Sequence, residues 1–278
     1  MKILVTGSAG LPGSDVLRLL ESRGIPCLGV DAPEFDPANE REVFRLAEDC
    51  SPDTIIHCAA YTNVNKAESE PAACATANGF GALTVARAAA RVGAKMLFLS
   101  TSEVFSGAGG APYAVSAPYG PKNVYGMSMV QAEDAVRSLL TRYYVVRTGA
   151  LYGGGKDAVR AVIRASQDGR ELRLSCDRLI QPTYSRDLAK VLCALVETDR
   201  YGIWHACGPD ACTPAEFAEL AAKKSGRNCR ILALPDAELC QPARRGADCR
   251  LAAELPPGFL PMPALEDALE RCLTEISY

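Results

Sequence analysis

Short apolar runs alternate with longer amphipathic stretches through the first half of the chain. Residues 3–6 form an apolar run that predicts a strand, and residues 12–23 carry a helical pattern. A second strand is predicted over 26–30, ending at Asp31, and a helix over 40–49. Residues 54–60 read Thr-Ile-Ile-His-Cys-Ala-Ala, a third strand. An alanine-rich helix is predicted over 71–92, closed by Gly93. A fourth strand follows over 95–100, a helix over 124–143 and a fifth strand over 144–148. This βα repetition predicts an α/β protein with a doubly wound parallel sheet. In such sheets ligands bind at the carboxyl ends of the strands, where Gly7, Asp31, Ala59, Ser100 and Arg147 fall.

Beyond residue 150 the alternation loosens, and prolines from Pro182 to Pro263 punctuate shorter elements. Helices are expected over 184–198 and 214–225. The expected organisation is a nucleotide-binding domain over 1–150 and a smaller lobe, mainly substrate-binding, over 151–278. Residues of about 184–206 are expected to return to the first domain.

The turn after the first strand narrows the chemistry. Gly7, Gly10 and Gly13 stand three apart between the strand and the first helix. Glycines there let the backbone bend and approach a pyrophosphate, and the helix N-terminus presents free N–H groups to it. The GxxGxxG spacing points to the short-chain dehydrogenase/reductase variety of the Rossmann fold. Asp31, ending the second strand, is placed to accept hydrogen bonds from the adenosine ribose hydroxyls. No Arg or Lys follows it immediately, so NAD(H) is favoured over NADP(H). A hydroxyl at Ser100–Thr101 is placed to bond a substrate carbonyl or hydroxyl. Tyr125 opens the 124–143 helix, and position 129 shares its face. In a short-chain reductase that face carries Tyr and Lys, the Tyr giving a proton to the carbonyl. Here the second position is Met129.

Composition excludes several classes. A formal charge of −3 and a pI near 5.6 recommend neither nucleic acid nor an anionic membrane as partner. No apolar run approaches the roughly 18 residues of a membrane span. The first strand begins at Ile3, so no signal peptide is expected and the protein is expected to be cytoplasmic. The 12 cysteines are scattered without a C-x-x-C pair, and the two histidines lie near no second metal ligand. No metal site is expected, and most cysteines read as reduced core residues. His57, inside an apolar strand, reads as a core histidine. Trp204 and His205 read as packing residues, and Lys122 as a solvated loop lysine.

The motifs together resemble the dTDP-4-dehydrorhamnose reductase family of extended short-chain dehydrogenases. The most specific match is residues 55–71, Ile-Ile-His-Cys-Ala-Ala-Tyr-Thr-Asn-Val-Asn-Lys-Ala-Glu-Ser-Glu-Pro. Asn78, Ser100-Thr101, Val104-Phe105, the Pro121–Gly126 segment, Arg147-Thr148, Leu151-Tyr152-Gly153 and Gln181-Pro182-Thr183 also match. The resemblance implies NAD(P)H-dependent reduction of a 4-keto-6-deoxy nucleotide sugar, with Thr101 and Tyr125 as catalytic hydroxyls. The cofactor contacts it implies, with those read from the glycine turn, are Gly7, Gly10, Leu11, Gly13, Asp31, Ala59, Ala60, Tyr61, Asn78, Ser100 and Tyr125. A nucleotide sugar is the expected partner, and a homodimer is left open.

Several positions depart from the family's pattern. Met129 stands where a catalytic Lys is usual, and Ser102-Glu103 where Asp-Tyr is usual. Gly149-Ala150 replaces Ser-Trp, Asp157-Ala158 replaces Asn-Phe, and Asn65 stands for an Asp. Thr101-Ser102-Glu103-Val104 instead resembles a segment of nucleotide-sugar decarboxylases and dehydratases, in which the Glu is an acid/base. Three readings follow: a reductase, a cofactor-binding partner subunit like the regulatory beta subunit of methionine adenosyltransferase, and a decarboxylase or dehydratase using Glu103.

Overall fold

The computed structural model describes residues 1–155 and 157–276. Lys156, Ser277 and Tyr278, which belong to the expected C-terminal lobe, lie outside the described residues. The chain begins with β1 (Ile3–Thr6), α1 (Leu11–Ser22), β2 (Cys27–Val30), α2 (Glu40–Cys50) and β3 (Thr54–His57). Next come two short helices, α3 (Val64–Ala67) and α4 (Pro71–Ala75), then α5 (Gly81–Val92), β4 (Lys95–Thr101), α6 (Val124–Leu139) and β5 (Tyr143–Thr148). The second half holds β6 (Ala150–Tyr152), α7 (Ala158–Asp168), β7 (Glu171–Ser175), β8 (Pro182–Tyr184) and α8 (Ser185–Val196). It ends with β9 (Gly202–His205), α9 (Pro214–Lys224), β10 (Arg230–Leu234) and α10 (Leu265–Glu275).

Six parallel strands form the main sheet in the order β2-β1-β3-β4-β5-β9. The strands are buried on both faces, so they read as apolar runs rather than as an alternation. One face packs against α2, α5 and α6 through Leu4, Ile55, Met96, Phe98 and Val145. The other packs against α1 and α8 through Ile3, Val5, Leu97, Tyr144 and Val146. A third apolar cluster joins α7, α9 and α10 with Tyr152 and Tyr184. Two small parallel pairs, β10–β7 and β6–β8, belong to this second region. Residues 185–205 join the main sheet instead, with α8 against α1 and β9 beside β5. No helix among the described residues is long and apolar enough to cross a membrane.

Three predicted elements are shorter or broken. The 54–60 strand stops at His57, because Cys58 and Ala59 turn against the glycine loop; a Cβ on Gly7 would strike the Ala59 nitrogen. The 71–92 helix is interrupted by a π-helical turn at Thr76–Phe80. That turn holds Asn78, buried and bonded to both backbone polar groups of Tyr61. The 124–143 helix ends at Leu139, since Tyr143 is already paired with Met96 in the sheet.

Candidate active site

A cavity of about 820 Å³ opens where β1, β3, β4 and β5 end. Its first half is built on the glycine turn. Gly7 has φ +74°, which favours glycine. A Cβ on Gly13 would fall on the Gly7 carbonyl oxygen, so only glycine lets α1 rise this close to the loop. The N-terminus of α1 has no side-chain cap, which leaves its first amides for an anion. Gly7, Gly10, Leu11, Asp31, Ala59, Ala60 and Tyr61 all line the cavity.

Asp31 closes this end. Its two carboxylate oxygens accept from the Ala9 amide at 2.7 Å and the Ala32 amide at 2.8 Å. Asp36 lines the same end, with Ala32, Pro33, Phe35 and Pro37 and no Lys or Arg among them.

Two residues expected to touch cofactor do not line the cavity. Gly13 acts through packing, as above. Asn78 sits behind Tyr61: its Oδ1 accepts from the Tyr61 amide at 2.6 Å, and its Nδ2 donates to the Ser128 hydroxyl at 2.8 Å. Asn78 therefore shapes the wall from behind.

The second half of the cavity holds Thr101, Glu103, Tyr125 and Met129. Tyr125 stands in the first turn of α6, which Asn123 caps by accepting from the Gly126 amide at 2.7 Å. The Asn123 Nδ2 donates to Glu103 Oε2 at 2.8 Å, which ties the cap to the turn after β4. A Cβ on Gly126 would strike the Glu103 carbonyl, so the helix is seated hard on that turn. The Tyr125 phenol lies beside the Thr101 side chain, whose Oγ1 also accepts from the Glu103 amide at 3.2 Å. Burial holds the phenol well above its ordinary pKa; the Thr101 side chain opposes this and the Glu103 carboxylate adds to it. Among the described residues no cation offsets the burial. Met129, one turn on, is 2% exposed and packs into the core while lining the cavity. Lys122 is exposed and lies outside the cavity.

Ser100 differs from expectation. Its hydroxyl donates to Glu133 Oε1 at 2.5 Å. Glu133 is fully buried and forms a forked pair with Arg147, at 2.9 Å from Nε and 2.7 Å from Nη2. With its proton committed to a carboxylate, Ser100 offers the cavity only lone pairs. It is not free to donate to a carbonyl placed there.

His57 lies in the core and bonds the Thr6 hydroxyl at 2.5 Å; burial lowers its pKa to about 4. His205 is also buried and its pKa is lowered to about 4, by burial first and the neighbouring Arg147 second. Neither lines the cavity. Among the described residues no cluster of ligands could hold a metal. The cysteines are free, and burial pushes the thiols of Cys58, Cys193 and Cys207 up to about 12.

Comparison with known proteins places this geometry. Residues 1–277 match the family described as the RmlD substrate binding domain. The dTDP-4-dehydrorhamnose reductase of Streptomyces griseus is 36% identical over 254 residues, covering 87% of this chain and 82% of that protein. The chain belongs to the dTDP-4-dehydrorhamnose reductase (RmlD) family. The spore coat polysaccharide biosynthesis protein SpsK of Bacillus subtilis is 32% identical over 85% of this chain and 84% of its own length. Among solved structures, dTDP-4-dehydrorhamnose reductase from Bacillus anthracis in complex with NADP superposes with a TM-score of 0.95. It is 32% identical, over 99% of this chain and 100% of that one.

The RmlD-family departures have structural explanations at two positions. Gly149 is obligatory here, since a Cβ would meet the Gln181 carbonyl oxygen. Asp157 caps α7, accepting from the Val159 amide at 2.9 Å and the Gly154 amide at 2.8 Å. Ala150 lines the cavity and is exposed, so the wall is open at that point.

Arg178, Arg245 and Arg250 also line the cavity, and sequence reasoning did not single them out. Arg178 pairs with Asp236 at 3.2 Å and Arg250 with Asp248 at 2.7 Å. Arg245 donates to neutral oxygens, those of Asn65 at 3.1 Å and Gln241, and burial lowers its pKa. They converge from the irregular proline-punctuated segments, where no periodicity could have paired them with Tyr125.

Proposed function

We propose that this chain is an NAD(P)H-dependent reductase of a 4-keto-6-deoxy nucleotide sugar, of the dTDP-4-dehydrorhamnose reductase type. One observation carries the reading: the Tyr125–Thr101 hydroxyl pair lines the same cavity as the glycine turn. The glycine turn fits a dinucleotide: Gly7 and Gly13 leave no room for a Cβ against Ala59 and the Gly7 carbonyl, which holds the loop close to the uncapped N-terminus of α1. When bound, the reduced nicotinamide supplies the hydride. Thr101 and Tyr125 orient the carbonyl, and Tyr125 gives its proton to the oxygen as the carbonyl becomes an alcohol. Gly7, Gly10, Leu11, Asp31, Ala59, Ala60 and Tyr61 are the proposed contacts of the dinucleotide.

NAD(H) is the favoured cofactor. Asp31 and Asp36 face the ribose end with no basic residue among their cavity neighbours, so a 2′-phosphate would meet uncompensated negative charge. The Bacillus anthracis relative was solved with NADP, so the preference is a property to measure in this chain. Calorimetric titration with NADH and NADPH, followed by addition of dTDP-4-dehydrorhamnose, tests both points. The expected result is tighter NADH binding and consumption of NADH with the sugar present. A protein that binds NADH and turns over no 4-keto nucleotide sugar supports the partner-subunit reading, which Met129 behind the phenol favours.

A further inference from the structure

Thr148 is the last residue of β5 and lines the cavity. It is 3% exposed, and its hydroxyl oxygen is buried with no hydrogen-bond partner. Ser100, buried at the neighbouring strand end, is by contrast partnered by Glu133, and the Tyr125 phenol lies beside Thr101. The hydroxyls of Thr54, Thr84 and Tyr152 are also buried without a partner, but of these four only Thr148 lines the cavity, where a ligand atom can complete it.

Position selects the ligand atom. Thr148 pairs in register with Thr101 on the neighbouring strand, so the two side chains stand on one face of the sheet, beside Leu99 and Val146. The proposed dinucleotide has its ribose end at Asp31 after β2 and its pyrophosphate at the glycine turn after β1. Following the strand order through β3 brings its far end to β4 and β5, at Thr101 and Thr148. The far end is the nicotinamide, and Leu99 and Leu151 of the cavity wall offer its ring an apolar bed. The ring's one polar substituent is a primary carboxamide, which both donates and accepts. A threonine hydroxyl can meet either of its atoms.

We propose that Thr148 is a binding residue for the nicotinamide carboxamide, satisfying its own hydroxyl and fixing the ring beside Thr101 and Tyr125. The proposal rests on the dinucleotide reading of the cavity. Gly149 supports it structurally: seated against the Gln181 carbonyl, it holds the end of β5 in place.

Calorimetry with NADH and with ADP-ribose, which lacks the nicotinamide, tests the proposal on wild type, Thr148→Val and Thr148→Ser. Valine keeps the shape and removes the hydroxyl; serine keeps the hydroxyl. The expected result is a loss of about two- to tenfold in NADH affinity for Thr148→Val, as for one hydrogen bond. ADP-ribose affinity stays at the wild-type value, and Thr148→Ser keeps most of the NADH affinity. Thermal unfolding of ligand-free Thr148→Val is expected at or above the wild-type midpoint, because an unpartnered polar atom is gone. Should the valine variant fail to fold, Thr148→Ala takes the same two titrations. Equal loss for NADH and ADP-ribose, or no loss for either, overturns the proposal. So does an unchanged NADH affinity with a raised KM for the sugar nucleotide, which would put Thr148 on the substrate. A wild type that binds neither ligand would remove the dinucleotide reading itself.

Discussion

A lysine at position 129 would place an ammonium one helical turn from Tyr125, on the face that already lines the cavity. Its absence leaves the phenol buried, raised in pKa and neutral at pH 7. A neutral phenol is the right form for a proton donor, so on the proposed reading Met129 costs the ease with which the proton leaves and an anchor for the ribose. Met129→Lys is therefore expected to raise turnover by at least about tenfold, equivalent to about 1.4 kcal/mol of barrier. Steady-state oxidation of NADH with a 4-keto nucleotide sugar, wild type beside variant, is the check. The new ammonium enters a site that is 2% exposed, so unfolding of the variant must be measured alongside. A folded variant that binds NADH without gaining rate would mean the pocket no longer serves carbonyl reduction. At this scale the Tyr and its missing Lys were legible, because both sit on one helix at fixed spacing. Ser100 was not, because its role is set by Glu133, thirty-three positions away.

At the scale of elements, the β1–α1 turn and the first turn of α6 build the site. Gly10→Asp is expected to abolish dinucleotide binding, since it sets bulk and negative charge beside the uncapped α1 amides proposed to receive the pyrophosphate. Asp31→Ala is expected to weaken NAD(H) more than NADP(H), because the variant loses the ribose acceptor and the repulsion of a 2′-phosphate together. Calorimetry with both cofactors separates the two variants; unchanged affinities would dismantle the assignment. Most of the main-sheet elements could be read from the sequence, because buried parallel strands and amphipathic helices carry strong periodic signals. The π turn at Thr76–Phe80 could not, since it arises from Asn78 reaching back to Tyr61 within a continuous alanine-rich pattern. Helix α10 and strands β7 and β10 also lay outside the reading; their apolar faces pack against α7, α9, Tyr152 and Tyr184, partners far away in the sequence.

For the whole molecule, the cavity depends on the second region coming back over the strand ends. Gln181 shows how: its Oε1 accepts from the Leu251 amide at 2.7 Å and its Nε2 donates to the Gly208 carbonyl at 3.3 Å. Such long-range bonds leave no local pattern, which is why the arginines of this half escaped sequence reading while the glycine turn did not. The buried histidines give the fold a pH dependence. His57 and His205 have pKa values lowered to about 4, so both are neutral in the folded protein and must be protonated on unfolding below about pH 6.5. Their contribution is present above pH 6.5 and is lost as the pH falls towards 4. Urea unfolding at pH 7 and pH 5 is expected to differ by on the order of 2 kcal/mol for each histidine, with the lower stability at pH 5. A His57→Leu variant should show a smaller drop; equal drops would mean that His57 is not held neutral.

The most direct measurement is the steady-state rate of NADH oxidation with dTDP-4-dehydrorhamnose by wild type, Tyr125→Phe and Glu103→Gln, with the sugar product identified by mass. The account predicts one alcohol formed per NADH consumed, and a loss of about 10²–10⁴-fold in Tyr125→Phe at unchanged NADH affinity. It predicts a smaller loss in Glu103→Gln, whose carboxylate is engaged by the Asn123 cap. Near-silence of Tyr125→Phe together with collapse of Glu103→Gln would contradict it.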